Sequence, residues 1–369
     1  MLIPGFATAE GTARFRERFA ARMPGHIRET HGLWMSSIGI GTYLGEPTAA
    51  YDARYREAIT QAVSMGVNVI DSAINYRHQR SERAIGQALA ALIASGEVQR
   101  DEVVLATKGG FLTFDGEEPP DASAYFQEKL LDPGIIRMEE VVAGCHVISP
   151  KFLENQIDAS RRNIGVETLD IYYVHNPETQ LSRVGREEFF RRLKAAFAAL
   201  EKAVTEGKIR RYGTATWNAY RVGPPSAEAL SLTDVLRLAE EVGGKDHHLR
   251  AIQLPFNLAM PEARMASTQP AGRNPAPLLQ VARAHGLMVF ASASLLQGQL
   301  TQGLPAESRS WFPGMRTDAQ RAIQFVRSTP GITCALVGMS NLEHLQENLG
   351  TASTAPMTLE QFRAVLHGA

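Results

Sequence analysis

The sequence predicts an α/β fold, namely a (β/α)8 TIM barrel formed as a single domain. Eight short apolar segments with the composition of buried strands alternate with segments of helical periodicity. The 369 residues, 44% of them hydrophobic, are enough for one large domain, and neither an internal repeat nor a domain boundary is visible. Alternation of this regularity over this length favours a closed barrel over an open, doubly wound sheet.

The chain begins with a segment that does not fit the alternation. Residues 1–34 contain several arginines and phenylalanines, and we expect them to form an extension, partly helical, in front of a barrel that spans residues 35–369. No long apolar core follows the arginines, which argues against a secretory signal.

The first strand–helix–strand unit follows this extension. Residues 36–43 are apolar and contain glycines, as in a short strand, and apolar residues then recur at helical spacing up to Gly66. The next strand, residues 67–70, is rich in β-branched side chains, as suits a strand that is buried on both faces. Asp71 therefore lies at the C-terminal end of this strand, and Tyr76 follows five residues later.

The same alternation continues along the rest of the chain. Further strands are predicted at residues 103–107, 169–174, 209–212, 251–254, 287–291 and 334–337, and helices near residues 81–95, 150–165, 189–207, 232–242, 277–284, 319–326 and 342–349. Lys108 and His175 come directly after two of these strands.

The segment 109–149 departs from the pattern. It contains Pro119-Pro120 and Pro133-Gly134, and it is longer than connections between elements usually are. We expect an insertion that shapes access to the functional face of the barrel, although a surface insertion without a role fits the same pattern.

Charge and cysteine content narrow the class of protein. A formal net charge of −1 implies neither a nucleic-acid partner nor a membrane surface. The longest stretch without Lys, Arg, Asp or Glu, 284–306, is interrupted by His285 and other polar residues and is no bilayer span. Cys145 and Cys334 lie far apart in the sequence, which predicts no disulfide framework and fits a reducing, cytoplasmic compartment.

Four titratable residues follow strands of the predicted barrel. Because every strand of such a barrel opens its C-terminal end on the same face, Asp71, Tyr76, Lys108 and His175 are expected to converge although they are far apart in sequence. Each of them alone has an ordinary explanation as a turn, loop or core residue. All four together, just after successive strands, make a shared catalytic pocket the better explanation.

These residue types make chemical sense together. A lysine cation stabilises a phenolate, so Lys108 can lower the pKa of Tyr76, and Asp71 can keep Lys108 charged in a partly dry pocket. His175 can form a hydrogen bond with a substrate oxygen. The set suits proton transfer at a carbonyl or alcohol oxygen, while a cofactor handles the accompanying hydride.

Several motifs in residues 35–350 resemble those of the aldo-keto reductase family. They are Asp71-Ser-Ala-Ile-Asn-Tyr76, Ala106-Thr-Lys-Gly109, Tyr173-Val-His-Asn-Pro177, Gly207-Lys-Ile-Arg-Arg-Tyr-Gly213 and Val337-Gly-Met-Ser-Asn-Leu-Glu-His-Leu-Gln-Glu-Asn348. The resemblance implies a catalytic tetrad of Asp71, Tyr76, Lys108 and His175, with Tyr76 as general acid. It also implies NAD(P)H-dependent reduction of small aldehydes or ketones, reversible to alcohol oxidation.

The resemblance further implies a cofactor site. Thr216 stands in place of one residue of the Ser-Asn pair that usually holds the nicotinamide amide, Gln253 matches another amide contact, and Ser292 replaces the usual stacking tyrosine. The pyrophosphate and adenosine would lie against a set of residues after the last two strands, namely Ser294, Leu295, Gly298, Gly338, Ser340, His344, Glu347 and Asn348.

The identity of the cofactor follows less directly from the motifs. The resemblance favours NADP and does not exclude NAD, because Met339 and His344 replace the basic residues that other branches use for the 2′-phosphate. Arg309 or Arg316 could supply that charge from the preceding loop. A helix N-terminus after Ser340 would offer backbone N–H groups to a phosphate.

Other functions remain open at this stage. A Schiff-base aldolase would use Lys108 as the nucleophile. A regulatory protein of the same fold would bind the cofactor with little turnover. A glycosidase needs two facing carboxylates, and Glu178 is only a distant partner for Asp71. A metal hydrolase is less favoured still, because His78, His247 and His248 lack ligand spacing, so no metal is expected.

Overall fold

The computed structural model describes residues 1–368, and the chain begins with one helix and one hairpin. These are α1 (Ala9–Phe19), β1 (Ile27–Thr30) and β2 (Leu33–Ser36), and the two strands pair antiparallel. The hairpin is a difference from the sequence-based expectation, which described residues 1–34 as a partly helical extension and named no strand there. Charged residues interrupt the apolar pattern of β1, and β2 is apolar but has only four residues, so neither gives a clear strand signal.

The hairpin closes the N-terminal end of the barrel. Leu33 and Met35 are buried against the residues that begin the barrel strands, including Val69 and Val104. The side chain of Asn68 fixes the hairpin by accepting a hydrogen bond from the backbone N–H of Ser36 and donating one to a backbone carbonyl of β2. Because this end is filled with side chains, the functional cavity lies at the other end.

Eight parallel strands form the closed barrel, which confirms the predicted (β/α)8 fold. In chain order they are β3 (Ile38–Gly41), β4 (Val69–Asp71), β5 (Val104–Gly109), β6 (Leu169–His175), β7 (Ile209–Ala215), β8 (Leu249–Pro255), β9 (Met288–Ser292) and β10 (Cys334–Gly338). Each strand pairs with the next along the chain, and β10 pairs with β3 to close the circle.

Helices surround the barrel and separate its strands. They are α2 (Ala49–Ser64), α3 (Arg80–Ala94), α4 (Ala122–Phe126), α5 (Pro150–Ile164), α6 (Glu178–Val184), α7 (Arg186–Thr205), α8 (Leu232–Gly243), α9 (Glu262–Met265), α10 (Leu278–Ala284), α11 (Ser308–Trp311), α12 (Asp318–Ser328), α13 (Leu342–Gly350) and α14 (Leu359–Gly368). None of the helices within the described part of the chain is long and apolar enough to span a membrane.

Strand ends differ systematically from the sequence prediction. Asp71, Lys108 and His175 lie within β4, β5 and β6, although the apolar pattern placed each of them after its strand. The pattern stopped at the first charged or polar residue, whereas the backbone ladder continues, since Lys108 and Gly109 still pair with β6. The backbone of Asp71, Lys108 and His175 is therefore part of the sheet ladder.

The segment 109–149 contains little regular structure but has a small core of its own. Besides α4 it forms short turns of helix at Gln127–Leu131 and Met138–Glu140. Ile136 and Val147 are buried together with Phe152 at the start of α5. The first residue of the predicted insertion, Gly109, belongs to β5.

Candidate active site

Four residues from three consecutive strands meet at the C-terminal face of the barrel. Asp71 and His175 are the last residues of β4 and β6, Lys108 is the last but one of β5, and Tyr76 lies in the loop after β4. The Nζ atom of Lys108 donates hydrogen bonds to Asp71 Oδ2 at 2.6 Å and to the hydroxyl of Tyr76 at 3.4 Å. The structure thus brings together the four residues that the sequence singled out.

Lys108 is the centre of this cluster and is completely buried. It also donates to the backbone carbonyl of Ser72 at 2.6 Å. Burial by itself lowers the pKa of Lys108, but the charges of Asp71 and Tyr76 and the hydrogen bonds to them outweigh it, so the pKa lies above its ordinary value. At neutral pH the lysine is a cation beneath the cavity.

Tyr76 is half-buried at the cavity wall, above Lys108. The Nζ atom of Lys108 lies 4.9 Å from the centre of its ring, and the ring of Tyr43 packs edge-on against it at 5.0 Å. Burial raises the pKa of Tyr76 above its ordinary value, and the Lys108 cation opposes this rise. The phenol is therefore protonated at neutral pH, and the lysine is placed to stabilise the phenolate that a lost proton would leave.

His175 faces Tyr76 across the cluster, with the two ring centres 5.8 Å apart. Burial, followed by the nearby charge of Lys108, holds the pKa of His175 well below 6.5. The imidazole is therefore neutral at physiological pH. Its Nδ1 atom is buried and has no hydrogen-bond partner among residues 1–368.

The backbone after Tyr76 has an unusual conformation. Arg77, His78 and Gln79 all have positive φ angles, of 51°, 54° and 70°, which non-glycine residues rarely adopt. The buried guanidinium of Arg77 holds this turn by donating to the carbonyl of Glu46 at 2.9 Å and to the carboxylate of Asp52 at 2.5 Å. These hydrogen bonds of Arg77 thus fix the turn that follows Tyr76 and, with it, the position of Tyr76.

A cavity of about 820 Å³ opens beside this cluster. Asp71, Tyr76 and His175 lie on its wall, whereas Lys108 lies beneath it. Every residue that the sequence suggested for cofactor binding also lines it, namely Thr216, Gln253, Ser292, Ser294, Leu295, Gly298, Gly338, Ser340, His344, Glu347 and Asn348. The structure therefore brings these residues together on one wall.

Contacts within the protein already engage some of these polar groups. The amide nitrogen of Gln253 donates to Asp71 Oδ1 at 2.7 Å, so the amide oxygen is the group that Gln253 can offer to a ligand. The hydroxyl of Thr216 is buried and has no partner in the part of the chain that the structure describes. The Asn341 side chain accepts hydrogen bonds from the N–H groups of Glu343 and His344, so the N-terminus of α13 is already partly capped.

The cavity wall carries no lysine or arginine within the described range 1–368. Arg309 and Arg316, suggested from sequence as a source of positive charge, are both exposed and do not line the cavity. Of the two residues that replace the basic positions, His344 lies on the wall and Met339 is buried in the core. The titratable groups at the end formed by α13 are therefore His344 and Glu347.

Several residues of the wall were not singled out from the sequence. Tyr43, Phe111 and Trp217 surround the mouth near Tyr76 and His175, and the side chains of Tyr43 and Trp217 are exposed. Each comes two residues after the end of a barrel strand. An aromatic residue at that position is the signal that could have identified them.

The structure weakens the alternatives based on other chemistry. The ammonium of Lys108 is locked in an ion pair, whereas imine formation needs a neutral, accessible amine. Glu178 does not line the cavity, and its carboxylate accepts hydrogen bonds from the backbone N–H groups of Trp217 and Asn218. No group of three or more His, Cys, Asp or Glu residues suited to a metal ion occurs in the described residues.

Sequence comparisons relate this chain to known proteins. A family model described as "Aldo/keto reductase family" matches residues 37–317. The chain is 27% identical over 195 residues to an NADH-specific methylglyoxal reductase of Escherichia coli, covering 52% of this chain and 51% of that protein. It is 23% identical over 215 residues to a putative voltage-gated potassium channel subunit beta of Schizosaccharomyces pombe, covering 58% of this chain and 50% of that protein. The chain thus spans about half the length of these two curated relatives.

Solved structures show the same fold over nearly the whole chain. An aldo/keto reductase of Klebsiella pneumoniae in complex with NADP and acetate superposes with a TM-score of 0.61 at 21% identity, covering 93% of this chain and 94% of that chain. The glycerol dehydrogenase of Gluconobacter oxydans gives a TM-score of 0.60 at 19% identity and covers 94% and 93%.

Proposed function

The chain belongs to the aldo/keto reductase family, and from this premise we propose that it reduces aldehyde or ketone groups of small molecules with a nicotinamide cofactor, reversibly with the alcohol. One observation carries the proposal. The ammonium of Lys108 bridges the Asp71 carboxylate and the Tyr76 hydroxyl beneath a cavity, with the neutral imidazole of His175 beside them.

Each of these side chains has a definite task in the reaction. The Tyr76 hydroxyl donates its proton to the carbonyl oxygen of the substrate, and the Lys108 cation stabilises the phenolate that remains. Asp71 keeps Lys108 charged in its buried position. His175, being neutral, forms a hydrogen bond with the substrate oxygen and orients it. In the direction of alcohol oxidation the same phenolate takes the proton back.

The wall residues suit a dinucleotide. The nicotinamide cofactor supplies the hydride when bound, and Thr216 and Gln253 would hold its amide. The unpartnered hydroxyl of Thr216 can donate or accept a hydrogen bond there, and the amide oxygen of Gln253 can accept one. Ser292, Ser294, Leu295 and Gly298 would contact the nicotinamide ribose and the pyrophosphate. Gly338, Ser340, His344, Glu347 and Asn348 would hold the adenosine.

The charge on the wall supports NADH rather than NADPH as the preferred cofactor, although the family resemblance favours NADP. A 2′-phosphate adds negative charge and strong acceptor oxygens, which basic side chains usually bind. The wall formed by the described residues has neither lysine nor arginine, and its outer end carries Glu347.

The same wall supports an uncharged substrate. Tyr43, Phe111 and Trp217 give the mouth an aromatic surface beside Tyr76, and no lysine or arginine of residues 1–368 lines the cavity to pair with a carboxylate or phosphate. We therefore expect neutral aldehydes and ketones with apolar or aromatic groups to react faster than anionic ones of the same size.

Two measurements test the proposal together. Fluorescence titrations with NADH and NADPH measure binding, and turnover on paired neutral and anionic carbonyl compounds, such as benzaldehyde and carboxybenzaldehyde, measures the reaction. The proposal expects tighter binding of NADH and faster turnover of the neutral member. Tight nucleotide binding without turnover of any carbonyl would favour the regulatory protein instead. Trapping of a carbonyl compound on Lys108 by borohydride, without nucleotide binding, would favour the aldolase.

A further inference from the structure

His146, which the proposed reaction does not use, lies directly behind His175. It is completely buried near the end of the segment 109–149, where its backbone pairs with Val142 in a tight turn. Its Nε2 atom lies 2.7 Å from the backbone carbonyl oxygen of His175, the last residue of β6. A side chain of the long segment is therefore bonded to the strand end that carries a proposed catalytic group.

The hydrogen bonds around His146 permit one protonation state. A carbonyl oxygen only accepts, so Nε2 carries the proton and donates to His175. The Nδ1 atom then accepts from the amide nitrogen of Gln180 at 3.1 Å. The orientation of that amide is fixed in turn, because its oxygen accepts a hydrogen bond from Arg192 at 2.8 Å. Burial lowers the pKa of His146 to about 4, in agreement with this neutral tautomer.

Packing leaves the two imidazoles little freedom to move independently. The ring of Phe111 is in contact with both, edge-on to His146 at 4.8 Å and to His175 at 5.1 Å between ring centres. Gly110 passes so close that a Cβ atom there would lie 3.1 Å from both His146 Nε2 and the His175 carbonyl oxygen. A shift of His146 must therefore be transmitted to His175.

We infer that His146 is a positioning residue, which holds His175 at the height and angle from which it orients the substrate oxygen. The inference rests on the proposed function for its kinetic consequence. On this inference, the segment 109–149 has a second role besides shaping access to the cavity. His146, near the C-terminal end of this segment, sets the geometry at the end of β6. Misplacement of a reacting group by about 1 Å can slow a reaction on the order of 100-fold, so the effect should be measurable.

The test compares two substitutions of His146 with a matched control. His146→Phe keeps the ring shape and removes both hydrogen bonds, whereas His146→Gln retains an N–H donor near the Nε2 position. His26→Phe is the control, because His26 is equally buried, its pKa is lowered to about 3, and it bonds to the carbonyl of Gly66 near the other end of the barrel. Melting temperature, cofactor affinity and kcat are measured for all three variants.

The expected pattern is specific. His146→Phe should lower kcat at least about tenfold with cofactor affinity unchanged, and His146→Gln should recover most of the loss. His26→Phe should lower the melting temperature about as much as His146→Phe does, while its kcat stays within about twofold of the wild type. Equal kcat losses in His146→Phe and His26→Phe would mean that His146 has only a structural role, and the inference would be wrong.

A spectroscopic measurement separates this inference from the proposed function. In protein labelled with ¹⁵N at histidine, His146 should show the neutral Nε2–H tautomer at neutral pH. His146→Phe should shift the imidazole signals of His175, and His26→Phe should leave them unchanged. These results need no turnover, so they hold even if the wild type reduces no carbonyl. A cationic or Nδ1–H form of His146, or unchanged His175 signals in His146→Phe, would overturn the inference.

Discussion

The Nζ atom of Lys108 lies 3.4 Å from the hydroxyl oxygen of Tyr76, within reach of a hydrogen bond that the lysine donates. This contact joins the proposed acid to the group that stabilises its conjugate base. Because the lysine is completely buried, solvent screens its charge very little. The pH dependence of the reaction should therefore report on this pair.

Carbonyl reduction should be independent of pH around neutrality. Reduction needs the protonated phenol, and the pKa of Tyr76 lies above its ordinary value of 10.0, so the rate should fall only as the pH rises through that raised pKa. Alcohol oxidation needs the phenolate and should rise over the same range. The pKa of His175 lies well below 6.5, so no change in rate should occur near pH 6.5. Profiles of kcat/KM from roughly pH 5 to 11 check this, and a break near 6.5 would contradict a neutral His175.

Tyr76→Phe should abolish the proton transfer while the cofactor still binds. The substitution removes the hydroxyl but keeps the ring that packs against Tyr43 and His175. We expect kcat to fall by about 10²–10⁴-fold, the usual contribution of a general acid, with little change in cofactor affinity. Tyr172→Phe is the control, since it deletes a buried hydroxyl that has no hydrogen-bond partner among residues 1–368 and lies outside the cavity. Turnover that survives Tyr76→Phe would exclude Tyr76 as the acid.

Asp71 and Lys108 should behave as a unit in stability measurements. Asp71→Leu leaves a buried ammonium without its carboxylate, and Lys108→Met leaves the reverse, so each should lower the free energy of unfolding by about 3–5 kcal/mol. The double variant removes both charges and should recover much of that loss, although it stays inactive. Denaturant unfolding of the three variants measures the coupling. Additive losses would show that the ion pair at 2.6 Å contributes no coupling energy.

His344→Arg should shift the cofactor preference towards NADPH. The substitution places a guanidinium on a cavity wall that has neither lysine nor arginine in the described residues. A charge-assisted contact with the 2′-phosphate should tighten NADPH binding by about tenfold, or about 1.4 kcal/mol, and leave NADH binding nearly unchanged. His344→Gln removes the same imidazole without adding charge and is the matched control. An equal gain for both nucleotides would place the 2′-phosphate elsewhere.

Hydrophobic periodicity was sufficient to predict the barrel, because the barrel strands are mostly buried on both faces and most of the longer helices bury one apolar face. Strand β6, for example, is buried along all seven residues from Leu169 to His175. The same criterion did not find β1, where Arg28 and Glu29 interrupt the apolar pattern, or β2, which is apolar but only four residues long. It also ended strands too early wherever a charged residue takes part in the ladder, as Lys108 does.

The candidate site was predictable as far as it depends on strand ends. Asp71, Lys108 and His175 could be placed because the barrel fixes where its strands open. Contacts between distant side chains could not be placed. The hydrogen bond from Gln253 to Asp71 joins residues 182 positions apart, and the bond from His146 to His175 depends on the path of an irregular segment. Neither leaves a periodic signal in the sequence.

The left-handed turn of Arg77, His78 and Gln79 stores conformational energy next to the proposed acid. Such a backbone costs non-glycine residues about 1–2 kcal/mol each, so the turn persists only because its neighbours hold it. Replacing His78 by glycine would relieve part of that cost and would also free the loop that carries Tyr76. Substitutions in this turn that raise the melting temperature should therefore lower turnover. Stability and activity would then oppose each other at a position that does not line the cavity.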